Sequence, residues 1–181
     1  MIASAPEPQP KPDVALVSIE MGYGHMRAAH ALAEHLNTET LPVARPPLAS
    51  DDERKSWERT RGFYETTSRL STLPLVGRPF KAVIDSMTEI PTLYPYRDLS
   101  APHLGVKLLD RMVQRGMGQG MVSYLRESAL PLLTTFYAPA IIADRMGLED
   151  VYCVVTDVDI HRIWVSIDPA DTATQYLVPS Q

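Results

Sequence analysis

Three short runs of this chain hold the residues best suited to chemistry. The first is Gly22-Tyr23-Gly24-His25, where two glycines precede an imidazole. Glycines let a backbone turn sharply and let a ligand approach closely. A histidine beside them titrates near neutral pH and can take a proton from a hydroxyl, or it can simply bond to the turn. The second run, Thr134-Thr135-Phe136-Tyr137, offers hydroxyls and aromatic rings. The third, Thr156-Asp157-Val158-Asp159-Ile160-His161, is followed by Trp164. On an extended segment Asp157, Asp159 and His161 point to one side, a set that could hold a divalent metal, although an aspartate in such a run also caps a following turn. Trp164 could pack in the core or stack on a sugar or an apolar substrate portion. His30 and His35 follow His25 at five-residue spacing, which does not align on a helix, so a three-histidine metal site is not expected.

The elements that must position these runs can be read from periodicity. Val14 to Ile19 is a continuous apolar run of strand type, Met21 to Gly24 a turn, and a helix is predicted to open at His25. Met26, Ala29, Ala33 and Leu36 share one face of that helix. A strand that passes through glycines into a helix leaves N–H groups unpaired at the positive end of the helix dipole, which favours phosphate or another anionic or strongly polar ligand. Thr40 to Ala44 reads as a short strand stopped by Pro46 and Pro47. Asp51 to Leu70 reads as a helix capped by Ser50 or Asp51, with Trp57 and Tyr64 facing one way. Helices are also predicted at Pro79 to Met87, Leu104 to Arg115 and Met121 to Ala129, with a turn-rich stretch from Pro91 to Tyr96. Gly116, Gly118 and Gly120 follow a helix, not a strand, so they suit a hinge or helix connection rather than a dinucleotide loop.

Leu130 to Phe136 reads as a strand, and Pro139 to Met146 as a helix with proline in its first turn and Gly147 as its stop. Val151 to Thr156 is an apolar strand of the kind covered on both faces, and Ile163 to Ile167 and Gln175 to Val178 are short strand candidates. Strands alternating with helices predict an α/β fold, a Rossmann-like doubly wound parallel sheet over residues 13–181 with a helical insertion at about 50–129. Ligands of such sheets bind beyond the carboxyl ends of the strands, so a parallel sheet would gather all three runs on one rim.

Composition narrows the function classes. The 181 residues suffice for one substantial core, and 45% hydrophobic content is ordinary for a globular protein. A net charge of -5 gives no support to nucleic-acid binding. Basic residues crowd the middle of the chain and acidic ones its final third, a pattern of solvated helix faces or of a basic surface toward an anionic ligand or membrane. The one cysteine, Cys153, lies in an apolar run and reads as a small core residue. Residues Ala5 to Pro12 form a proline-rich lead-in, expected to be disordered over 1–12. With no apolar run of spanning length and no signal-peptide core, the expected location is cytoplasmic, with peripheral membrane contact open.

Ser18-Ile-Glu-Met-Gly-Tyr-Gly-His25, followed by Ala28-Ala29-x-Ala-Leu32, resembles the N-terminal loop and helix of GT-B glycosyltransferases. The closest group is that of monogalactosyldiacylglycerol synthase and the processive diacylglycerol glucosyltransferases. Val154-Val-Thr-Asp-Val-Asp-Ile-His-Arg-Ile-Trp164 and Gln175-Tyr-Leu-Val-Pro-Ser180 resemble that group's Thr-Asp…His…Trp segment and the strand after it. Thr134-Thr-Phe-Tyr-Ala-Pro139 is similar to its Ser/Thr-rich strand end, whereas Pro46 to Gly120 is largely unmatched. The loop itself is less glycine-rich than the family pattern and carries the bulky Tyr23.

The resemblance implies an acceptor-binding domain. It places His25 near the acceptor hydroxyl as a base or phosphate neighbour. Gly22, Tyr23, Gly24, Thr135, Thr156, Asp157, His161 and Trp164 would line the acceptor side, with no metal. It further implies a nucleotide-sugar donor, such as a UDP-sugar, held not by this chain but by a C-terminal domain or subunit. The acceptor would be a lipid or another hydroxyl compound. With the chain ending at Gln181, a single GT-B N-terminal-type domain lacking that donor domain is expected, inactive alone. Two other classes remain open: a non-catalytic Rossmann-like binding or scaffold module, and a metal-dependent Asp-x-Asp transferase.

Overall fold

The computed structural model describes residues 13–71, 101–157 and 162–178, with side chains excluded over 63–71. The calls on 1–12, on Pro79 to Met87, on Pro91 to Tyr96, on Asp159 and His161, and on the Tyr64 side chain lie outside the described residues.

Five short strands, β1 (Ala15–Ser18), β2 (Thr40–Pro42), β3 (Leu132–Thr134), β4 (Val151–Val154) and β5 (Thr174–Leu177), form one sheet in the order β2-β1-β3-β4-β5. All four pairings are parallel. Among the described residues the helices are α1 (Tyr23–Leu36), α2 (Asp51–Ser71), α3 (Leu104–Val113), α4 (Gln119–Ser128) and α5 (Tyr137–Arg145), so the fold is α/β and Rossmann-like, doubly wound. From β1 the chain steps outward to β2, then returns past β1 to β3 and continues the other way. The direction reverses between β1 and β3, and that is where sheets of this order open a crevice for ligands.

The register explains the burial. Ala15, Leu132 and Val151 lie side by side on one face, as do Val17, Thr134 and Cys153. These residues join Val106 and Leu109 of α3, Met121 and Leu125 of α4, and Ala140 and Ile141 of α5 in the main core. Right-handed crossovers put α1 on the opposite face, because β1 to β2 steps opposite to β3 to β4. There Leu16 and Leu133 are buried, and α1 packs on β1 and β2 through Ala29. Each such fully buried aliphatic side chain contributes about 1.5–3 kcal/mol. Cys153 is buried in this core, and burial pushes its thiol up to about 12.

Helix ends follow local chemistry. Ser50 caps α2 by accepting from the Glu53 N–H, and the Glu53 carboxylate accepts in return from the Ser50 N–H, a reciprocal capping box. The other Glu53 oxygen accepts from the Gly120 N–H in the first turn of α4, which ties the two helix starts together. The glycine cluster is the predicted helix connection, with Gly116 and Gly118 at φ of 99° and 85°.

Three expectations are corrected. The first helix opens at Tyr23, two residues before His25, because Gly22 makes the whole turn at φ 81° and Gly24 already lies in the helix. Leu36 is exposed at the helix end, so the apolar face there is narrower than its spacing suggested. Ile163 to Ile167 is not a strand: Arg162–Trp164 winds into a 3-10 turn that buries the Trp164 indole.

Candidate functional site

The ends of β1, β3 and β4, adjacent in the sheet, deliver the three runs to one rim. His25 sits in the first turn of α1, half-buried. Its Nδ1 lies 2.6 Å from Thr156 Oγ1, just beyond β4. The Thr135 hydroxyl, just beyond β3, donates to the His25 backbone carbonyl at 2.9 Å. Thus one residue of the β1 loop is held by hydroxyls from both neighbouring loops, across the point where the strand order reverses.

The surrounding shell is aromatic. The His25 ring meets Phe136 edge-on, with centroids 4.7 Å apart, and stands 6.0 Å from Trp164. Phe136, Tyr137 and Trp164 also pack on one another. The Trp164 Nε1–H donates to Asp157 at 3.0 Å, which fixes the carboxylate on the His25 side of the rim. Trp164 is only 1% exposed, so it backs the site rather than offering a stacking face.

Burial is the main cause that lowers the His25 pKa, because the imidazolium loses its hydration. The Asp157 charge and the contact with Thr135 pull the other way without cancelling it. The net effect disfavours the imidazolium form of His25. Two ring states fit the short contact to Thr156. In the one where Nδ1–H donates to the threonine, Nε2 keeps its lone pair and can accept a proton.

Backbone groups add to the polarity of the rim. Both α1 and α5 begin here, at Gly22 and Phe136, and neither first turn receives a side-chain cap among the described residues or carries an acidic residue. The positive ends of two helix dipoles thus face this rim, which favours a polar or anionic ligand. Gly22, Tyr23 and Gly24 are exposed at the mouth, Tyr23 at 83%.

Of the residues singled out from sequence, His25, Thr135, Thr156, Asp157 and Trp164 come together, and Gly22, Tyr23 and Gly24 form the adjoining loop. His161 and Asp159 lie outside the described residues. A metal site on the Asp-x-Asp run would require Asp159. Among the described residues no three His, Cys, Asp or Glu side chains converge in a way that could hold an ion. Phe136 and Tyr137 of the second run also belong to the cluster, although the resemblance gives them no role. Their position directly after a strand end, beside Thr135, is the signal that marks them.

No described helix is long and apolar enough to cross a membrane. The chain matches no family model, no curated protein and no solved structure.

Proposed function

We propose that this chain is the acceptor-binding domain of a GT-B-type glycosyltransferase, with His25 at the acceptor hydroxyl. The observation that carries the reading is a half-buried His25 held by Thr156 and Thr135 at the point where the strand order reverses, and burial lowers its pKa. A histidine so placed is oriented and ready to accept a proton. In the proposed reaction the acceptor oxygen attacks the anomeric carbon of a nucleotide sugar. The C–O bond to the nucleoside diphosphate breaks as the new glycosidic C–O bond forms, and His25 Nε2 takes the hydroxyl proton. Asp157 stabilises the resulting imidazolium, and Trp164 holds Asp157 in place. The donor is held by a separate domain or subunit, and the acceptor is a lipid or other hydroxyl compound.

A second reading has its own support. Thr135, Thr156, Asp157 and Trp164 each already have a partner inside the chain, as in a structural clasp. Under that reading the domain binds a ligand without chemistry.

One assay separates the two. The protein, together with its donor-binding domain or subunit, is given UDP-hexoses and diacylglycerol vesicles or soluble hydroxyl acceptors. Transfer that falls at least about a hundredfold in His25→Ala supports the base role. Absence of transfer with every donor and acceptor, alongside saturable acceptor binding, favours the binding module.

A further inference from the structure

The outward face of α3 departs from an ordinary solvated helix. Its inward side is Val106, Leu109, Asp110 and Val113, all buried. Leu104, Lys107, Leu108 and Arg111 recur at three- and four-residue intervals and share the opposite side, and Arg115, one turn on, continues the line. Leu104 is 63% exposed and Leu108 47%, so two large apolar side chains stand in water on one stripe. Lys107, Arg111 and Arg115 are exposed as well, and none has an ion-pair partner among the described residues. Arg115 and Arg59 line one cleft with Asp52 and Glu53, so the charges balance there. Lys107 and Arg111 are the excess. The only carboxylate of α3, Asp110, is turned into the core, where it bonds Arg145 and Gln114.

The leucine end of this stripe stands beside the rim. Ile163 packs against Gly105 in the first turn of α3, and Arg162 donates to the Ala101 carbonyl just ahead of it. Both belong to the 3-10 turn that carries Trp164 behind His25. With ten residues α3 is about 15 Å long, too short to cross a bilayer, and its inward side is fixed on the core. It can meet a membrane only along its outward side.

We propose that this face of α3 docks the protein on an anionic bilayer surface, with Leu104 and Leu108 entering the headgroup boundary and Lys107 and Arg111 meeting the lipid phosphates. Inserted apolar side chains and cations paired with anionic headgroups reinforce each other at such surfaces. The long stems of Lys107 and Arg111 can follow the leucines inward while their charged ends stay in water. A protein partner would need a shape to interlock with, and a single convex helix supplies little. None of these residues belongs to the His25 cluster, and vesicle binding needs neither donor nor acceptor, so it is read independently of sugar transfer.

The protein is floated with vesicles of phosphatidylcholine alone and of phosphatidylcholine mixed with phosphatidylglycerol. Binding to the mixed vesicles is expected, weakening as salt rises, and about tenfold or more weaker on the neutral ones. Lys107→Gln/Arg111→Gln should weaken it about tenfold through lost charge. Leu104→Ser/Leu108→Ser should weaken it by a similar factor, about tenfold, through lost insertion. Both double variants should keep the circular dichroism spectrum, because all four side chains are exposed. Equal affinity for neutral vesicles, or unchanged affinity in either double variant, would overturn the proposal. So would absence of vesicle binding, including the case in which the leucines instead hold two copies of the chain together in size-exclusion chromatography.

Discussion

At the scale of single residues, His25 organises the account. Its imidazole is fixed by Thr156, its carbonyl by Thr135, and its ring edge by Phe136. The lowered pKa makes two predictions. An NMR titration should place the His25 midpoint below the ordinary value of about 6.5, and Asp157→Asn should move it lower still, because Asp157 raises it. For stability the sign follows from proton uptake. The unfolded chain protonates His25 at a higher pH than the folded one does. The His25 contribution is therefore fully present above about pH 6.5 and is lost as pH falls through the folded-state value. A His25→Gln variant should lose less stability on acidification over that window, as read from urea midpoints. The candidate base was legible in sequence because a glycine turn before a helix has few structural meanings. The clasp to Thr156 was not, since it joins residues 131 positions apart.

At the scale of elements, two glycines test how the helix starts are built. A Cβ on Gly120 would lie 2.6 Å from the Leu48 carbonyl oxygen and 2.8 Å from Glu53 Oε2, so Gly120→Ala must push α4 away from the loop that leads into α2. It should cost about 1–3 kcal/mol in chemical denaturation. Gly24 has open space around it and lies inside α1, so Gly24→Ala should be neutral or stabilising by a few tenths to about 1 kcal/mol. Losing the reciprocal cap in Ser50→Ala should cost about 1 kcal/mol. Strands and helices were legible wherever an apolar run or a 3.6-residue period set them. The strand expected at Ile163 was not, because Trp164 is drawn inward by the core and by its bond to Asp157, and the chain winds to let it reach. Nor could spacing alone show that Gly22 makes the turn without help from Gly24.

At the scale of the whole molecule, the parallel sheet turns separate runs of sequence into one rim, and α3 sets an unlike surface beside it. The aromatic, hydroxyl-lined cluster lies beyond β1, β3 and β4, and the stripe of leucines and cations runs along the outward face of α3. The first was foreseeable once a parallel sheet was assumed. The second was legible only as a basic crowding that includes Lys107 and Arg111, and not in the exposure of Leu104 and Leu108 on the same face. Core burial also predicts that Cys153 stays unreactive toward a thiol reagent in the native state and reacts only on unfolding, which a denaturant series with a colorimetric thiol assay would check. The central claim, that the rim at His25 receives an acceptor hydroxyl, is tested most directly by NMR of the imidazoles during titration with a short-chain diacylglycerol. The sequence has five histidines, and His30 and His35 lie exposed farther along α1 as internal references. The account predicts a saturable shift of the His25 ring signals, with His30 and His35 unmoved, and a weakened response in Thr156→Val. No shift at His25, or equal shifts at all three, would contradict it.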